Sequence, residues 1–194
     1  MSESIILASA SPQRRTLLEQ VNLQPAKIIA ADVDETPLQG EKPRKFAIRM
    51  ALEKGARVAT NFPNNYILAA DTVVACGQRI LDKVESRDAA SKHLRLLSGR
   101  RHQVYGGVAV VTPGGTFHTR LVATQVTFKG LNGMEIESYL ESGEWKGKAG
   151  AYAIQGIAGS FVKRINGSCS NVIGLPLYET LALLRGSGFI RSQS

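Results

Sequence analysis

One segment restricts the chain's folding options more than any other. Tyr66–Ala75 (YILAADTVVA) is a nearly unbroken apolar run, bounded by Pro63-Asn64-Asn65 before it and Gly77 after it. Its length and its β-branched residues fit a strand. Inside the run stands Asp71, where an unpaired carboxylate would cost several kcal/mol. A buried acid survives by meeting a cation, a metal ion or several hydrogen-bond donors. A structural ion pair or a strand-end cap answers that need as well as a reaction centre does, and this segment alone leaves both open.

The rest of the chain supplies partners for that strand. Gly77-Gln78 turns into Arg79–Lys83, a hairpin partner, and Pro113-Gly114-Gly115 joins Val104–Thr112 to Thr116–Phe128. Ser4–Leu7 and Lys27–Ala30 read as two further strands. A helix begins at Pro12 with Ser11 as its cap, since proline at the first helical position lacks only an N–H that has no partner there. Other helices are expected from Pro43 to about Ala59, over Asp88–Leu97 and Gly133–Ser142, and over Pro176–Arg185 with Leu177, Leu181 and Leu184 as its buried row. Strands alternating with helices, plus two hairpins, predict an α/β fold with a mixed sheet. At 194 residues the chain is expected to be one domain, 1–194, with about 187–194 as a frayed tail.

Charge narrows the partners. Lys+Arg number 24 against 16 Asp+Glu, a net +8, which favours anions such as nucleotides, nucleic acid or a membrane surface. Several classes fall away. Cys76 and Cys169 form no C-x-x-C, and His93, His102 and His118 form no H-x-H or H-E-x-x-H, so neither a zinc site nor a redox dithiol is expected. The start, MSESIILASASPQRR, lacks a basic n-region and a long apolar core, and no stretch is long enough to span a membrane. A cytoplasmic protein with free thiols is the plain reading. Asn166-Gly167-Ser168 is read as a turn. Gly143–Ala149 (GEWKGKA) misses the P-loop spacing by one residue and carries alanine where a hydroxyl should hold magnesium. The basic residues are dispersed, without the aromatic platforms of nucleic-acid modules.

Two further groups join Asp71. The first strand runs into a helix through Ser9 and Ser11, with Arg14 and Arg15 beside the free N–H groups, an arrangement suited to an anion and also common as a plain turn. Lys54 breaks the otherwise apolar row Ala47–Ala51–Lys54–Val58, and Lys83 follows the strand Ile80-Leu81-Asp82. Each lysine alone reads most simply as a snorkelling surface residue. With Arg14 they make three cations, enough to meet most of a triphosphate's charge.

Together these segments resemble the Maf-like nucleotide pyrophosphatases, also described as septum-formation inhibitors. The resemblance runs through Leu7–Arg15 (LASASPQRR), Asp34-Glu35, Glu53–Ala56 (EKGA), Ala70–Val74 (ADTVV), Leu81-Asp82-Lys83 and Leu97-Ser98-Gly99. It continues through Gly147–Gly156 (GKAGAYAIQG), its most specific block, and Gly174-Leu175-Pro176. It is nearest the branch that cleaves dTTP and UTP.

The resemblance implies an elongated mixed sheet flanked by helices, with two lobes around a deep cleft, like inosine triphosphate pyrophosphatases. It implies hydrolysis of a nucleoside triphosphate to the monophosphate and pyrophosphate, with a divalent cation such as Mg²⁺, Mn²⁺ or Co²⁺. Asp71 takes the place of the catalytic acid, as general base or metal ligand, and Glu35 that of a metal-side acid. Ser9, Arg14, Lys54 and Lys83 fall at phosphate positions, and Gln13, Thr72 and Gln155 at positions tied to base choice. A homodimer is a family expectation, whereas nucleic acid and membrane partners are not. This sequence departs from the pattern at Gln13, usually arginine, at Val84, usually proline, and at Gly106, usually a small hydroxyl residue. The rival reading is a basic, non-catalytic protein that binds nucleic acid or cell-division partners; burying an acid serves no purpose in a phosphate-backbone binder.

Overall fold

A computed structural model describes residues 4–189. Seven strands form one mixed sheet. These are β1 (Ile5–Ala8), β2 (Lys27–Ile28), β3 (Tyr66–Cys76), β4 (Arg79–Leu81), β5 (Arg101–Val111), β6 (Phe117–Phe128) and β7 (Val162–Asn166). Their order is β2-β1-β3-β5-β6-β7, with β4 pairing onto β3. β1 lies parallel to β2 and β3, and every other pairing is antiparallel. The mixed sheet expected from two hairpins is therefore present.

Helices α1 (Pro12–Gln20), α2 (Pro43–Ala59), α3 (Arg87–Leu97), α4 (Gly133–Ser142), α5 (Cys169–Ile173) and α6 (Leu177–Gly186) surround the sheet. Local chemistry sets their ends. Ser11 accepts the backbone N–H of Arg14, and Asn132 and Glu135 form a reciprocal capping box on α4. Among the described residues, no helix is long and apolar enough to cross a membrane.

The long strands run through two separate packing regions. The first half of β3, with Leu68 and Ala70, packs with Leu17 and Leu18 of α1 and Leu183 and Leu184 of α6. Ile67 and Ala69 face the other way, toward Val58 of α2. At Val74 the same strand enters a second core built from Leu94, Leu97, Phe128, Ile136, Tyr139, Trp145 and Tyr152. Asp71 and Thr72 sit where one core gives way to the other.

The register explains how α2 reaches that point. Asp71 lies opposite Gly107 and Thr72 opposite Gly106. A Cβ at Gly107 would fall 2.1 Å from the carbonyl oxygen of Ala47, so the missing side chain lets α2 lie directly on β5. A Cβ at Gly106 would fall 1.9 Å from Asn171 Oδ1. The departure from a hydroxyl residue there is matched by a buried asparagine amide filling the space.

Some expectations need correcting. β2 covers only Lys27–Ile28 and is exposed, as befits an edge strand. In α6 the buried residues are Thr180, Leu183 and Leu184; Leu177 and Leu181 are only partly covered. Part of the supposed tail is docked: Ser187 accepts a hydrogen bond from Tyr66 Oη at 3.0 Å, and Phe189 packs its ring 5.2 Å from that of Tyr66. Residues 190–194 lie outside the described residues. β7 and α5 carry no periodic signal in the sequence, although the turn at Asn166-Gly167-Ser168 that joins them is legible there; Ser168 caps α5 and Gly167 has φ 126°.

Candidate active site

Ser9, Gln13, Arg14, Glu35, Lys54, Asp71, Thr72, Lys83 and Gln155 all line one cleft of about 370 Å³. They come from the β1–α1 turn, the first turn of α1, the β2–α2 loop, α2, β3, the segment after β4 and the loop that follows α4. Arg15, expected beside the same anion site, lies elsewhere: it is exposed and pairs with Glu19 Oε1 at 2.7 Å along α1.

At the centre is Lys54. It is only 6% exposed, so the surface reading suggested for an isolated lysine does not hold. Its Nζ lies 2.6 Å from Asp71 Oδ1 and 2.7 Å from Glu35 Oε1. Lys83 Nζ, on a half-exposed side chain, donates to Glu35 Oε2 at 2.9 Å. Two lysines thus occupy both oxygens of Glu35. Its partial burial works to raise the pKa, but the hydrogen bonds and charges of Lys54 and Lys83 outweigh that and bring the carboxyl down to about 2.

Arg14 forms the second centre. Its Nε donates to the carbonyl of Gly174 at 2.8 Å, its Nη1 to Ser9 Oγ at 2.8 Å and its Nη2 to Thr72 Oγ1 at 3.2 Å. Burial lowers its pKa, while the charges of Asp71 and Glu35 oppose that shift. Ser9 Oγ also accepts the N–H of Ser11 at 3.2 Å. With two bonds accepted, the Ser9 hydroxyl keeps its own hydrogen to donate into the cleft. Thr72 donates to Gly174 O at 3.3 Å, so its hydroxyl helps fix the guanidinium.

The amides are placed differently. Gln13 accepts from Ser11 Oγ at 3.2 Å. Gln155 is exposed on the cleft wall and makes no hydrogen bond among the described residues. It does not tie down the glycine-rich loop. That task falls to backbone bonds from Gly147 to Val84, Gly150 to Leu81 and Ala151 to Lys148, together with a bridge between Lys83 and Ala149. Val84 itself is buried, which an apolar residue at that position satisfies.

Two supporting groups escaped the sequence reading. Gly174 receives both Arg14 and Thr72 on its carbonyl with φ 144°, in the region that favours glycine. The segment Gly174-Leu175-Pro176 belongs to the resemblance, but no spacing rule says that its carbonyl holds Arg14 and Thr72. Arg49 grips Glu41 with two nitrogens, at 2.8 and 2.7 Å, and also bonds Glu53 Oε1 and the carbonyl of Thr36. It thereby clamps to α2 the loop that presents Glu35. On a helix rich in basic residues this arginine carried no distinguishing signal.

The donor set bears on a divalent cation. Among the described residues there is no group of three or more His, Cys, Asp or Glu that could hold a metal ion. Asp71 and Glu35 are two hard carboxylates on one ammonium, and only Oδ1 of Asp71 is engaged. That set suits an ion whose remaining ligands are phosphate and water oxygens, rather than a resident ion caged by protein.

A family model described as Maf-like protein matches residues 4–187. A Mesorhizobium japonicum protein named dTTP/UTP pyrophosphatase is 52% identical over 198 residues, covering 99% of this chain and 95% of its own. One of the same name from Caulobacter vibrioides is 52% identical over 96% of each chain. Among solved structures, the Ham1 protein of Staphylococcus aureus aligns with 65% of this chain and 72% of its own, at TM-score 0.46 and 18% identity. With relatives above half identity from end to end, and with each segment of the resemblance that carries a site residue folded onto one cleft, the chain belongs to the family of Maf-like proteins.

Proposed function

We propose that the chain is a cytoplasmic nucleoside triphosphate pyrophosphatase that converts dTTP, UTP or related and modified nucleotides to the monophosphate and pyrophosphate. The observation that carries this reading is Lys54 held between Asp71 and Glu35, with Lys83 and Arg14 in the same cleft. Three cations face two acids there, which leaves one positive charge in excess. A polyphosphate entering the cleft draws the lysines onto its oxygens, and the carboxylates are released from them.

The chemistry then follows from the groups present. Asp71 orients a water and accepts its proton as the oxygen attacks the α-phosphorus. The bond from that phosphorus to the bridging oxygen breaks, and the electron pair leaves with pyrophosphate. Arg14, at a position fixed by Gly174 and Ser9, and the two lysines drawn from the carboxylates stabilise the charge that builds on the leaving group. Asp71 and Glu35, together with phosphate oxygens, would hold a divalent cation, which would supply further charge neutralisation and make a nearby water more acidic. Gln155, with its amide free, reads the base edge, and Gln13 shapes the adjoining wall.

A panel of canonical and modified triphosphates, assayed with Mg²⁺, Mn²⁺ or Co²⁺ for pyrophosphate release, tests this reading. Pyrophosphate and monophosphate in equal amounts from dTTP or UTP support it. Release of orthophosphate alone, or no turnover on any triphosphate, overturns it.

A further inference from the structure

The cleft has a second chamber that the pyrophosphatase reaction of a simple triphosphate does not use. Glu35, Asp71, Thr72, Lys83 and Ala149 line the main cleft and also a neighbouring pocket of about 340 Å³. The charged cluster is therefore a partition between two cavities. On the main side stand Gln13, Gln155 and Arg14. On the other side Pro37, Phe46, Val73, Ile80 and Leu81 make an apolar wall, with Thr36 and Asp82 at its polar margin. Val73 and Phe46 belong to a small hydrophobic cluster under α2, with Ile80 packed against it.

The two chambers suit different chemical groups. A phosphate chain held by Arg14, Lys54 and Lys83 has the base-reading amides at one end. Its other end meets the apolar annex, and an ionised terminal phosphate gains nothing from an apolar wall. A terminal phosphate esterified by an aromatic group carries one negative charge fewer and offers apolar surface to bury. Ligand pockets begin at about 300 Å³, so the annex is large enough for a ring system.

We propose that the annex accepts an aromatic group attached to the terminal phosphate, making aryl esters of nucleoside triphosphates and dinucleoside polyphosphates a further substrate class of this site. The proposal rests on the pyrophosphatase reading and extends it. The bonds made and broken are the same. Water attacks the α-phosphorus of the nucleotide whose base lies in the main cleft, and Asp71 takes the proton. The α–β bridging bond breaks and its electron pair stays on the β-phosphate. A dinucleoside tetraphosphate then yields one nucleoside monophosphate and the triphosphate of the other nucleoside.

The test compares the γ-phenyl and γ-methyl esters of dTTP, which carry equal charge, by release of dTMP. The phenyl ester is expected to show kcat/KM about tenfold above the methyl ester, in keeping with burial of one ring. Equal values overturn the proposal. Dithymidine tetraphosphate should give dTMP and dTTP as its first products, and symmetric cleavage to two dTDP also overturns it. Ile80→Glu should abolish the phenyl preference while dTTP turnover stays within twofold of the parent, roughly the scatter of such comparisons. Pro37→Glu, on a loop, makes the same test should Ile80→Glu fail to fold. Persistence of the preference in a variant that still cleaves dTTP rejects the annex. Failure of the parent protein to cleave dTTP itself would instead sink the pyrophosphatase reading, so the two failures are distinct.

Discussion

The ammonium of Lys54 lies 2.6 Å from Asp71 Oδ1, joining α2 to β3 where the sheet passes from one core to the other. The two residues are nearly equally buried, at 6% and 7% exposure, yet their loss has unequal consequences. Asp71→Asn leaves Lys54 paired with Glu35, so the fold should persist with a loss below about 2 kcal/mol, while turnover falls by roughly 10²–10⁴. Lys54→Ala strands a buried carboxylate and should lower stability by about 3–5 kcal/mol. Urea unfolding beside steady-state kinetics checks both. Full activity in Asp71→Asn removes Asp71 from the chemistry.

Arg49 touches neither Asp71 nor Lys54, but its bonds to Glu41, Glu53 and Thr36 fix the loop bearing Glu35. Arg49→Lys cannot reproduce the two-pronged grip on Glu41. We expect kcat/KM to fall by about tenfold, a typical loss when one charge-assisted contact goes. The effect should vanish in a Glu35→Gln background, where there is no carboxylate left to position. An undiminished effect in that double variant means that Arg49 acts through the fold alone.

The sequence exposed the candidate site more fully than the fold. Asp71 in an apolar strand and Lys54 in an apolar helical row are local violations of burial, visible in one dimension because each breaks a pattern. What could not be read was that each is the other's answer, since their pairing depends on α2 lying on a glycine of β5. β7 and α5 were missed for a related reason. Val162–Asn166 (VKRIN) spaces its two apolar residues three apart and so shows no strand alternation, and α5 is held by Ser168 and by Asn171, whose amide reaches Val104 O and Thr124 Oγ1 across the sheet. Contacts of that kind leave no period.

Gly107 carries a prediction of its own. A methyl group there would overlap the carbonyl of Ala47, a backbone atom that cannot swing aside. Gly107→Ala should lower stability by at least about 2 kcal/mol. It should also reduce turnover in the fraction that remains folded, because α2 must lift and take Lys54 with it. Calorimetry and single-turnover kinetics would show both effects, and a variant with parental Tm and rate rules out the close approach.

His102 gives the fold a dependence on acid. Burial lowers its pKa from the ordinary 6.5 to about 4, with Nε2 bonded to Tyr152 Oη at 2.8 Å. The unfolded chain binds a proton near pH 6.5 that the folded chain refuses until about pH 4. Stability from this residue is therefore complete above the unfolded value and is lost as pH falls through that window, a change on the order of 3 kcal/mol. His102→Phe should flatten the slope of unfolding free energy between those limits, though the lost bond to Tyr152 lowers the plateau. An unchanged slope in the variant excludes His102 as its source.

Base selection rests on Gln155, whose amide is exposed to the cleft and bonded to no group among the described residues. Its acceptor and two donors can pair with the N3–H and a carbonyl of thymine or uracil. Losing such a contact should cost the preferred base about 1–3 kcal/mol, because a mismatched edge leaves polar groups unpaired. Gln155→Ala should then bring kcat/KM for dTTP or UTP toward that for a purine triphosphate. Lys54→Ala and Lys83→Ala should leave that ratio nearly constant, since both lysines face the acids and the phosphate path. Gln13→Arg should sharpen the pyrimidine preference, since a longer cation at the start of α1 narrows the same wall. A uniform loss across all triphosphates in Gln155→Ala would mean that this amide serves the loop and not the base.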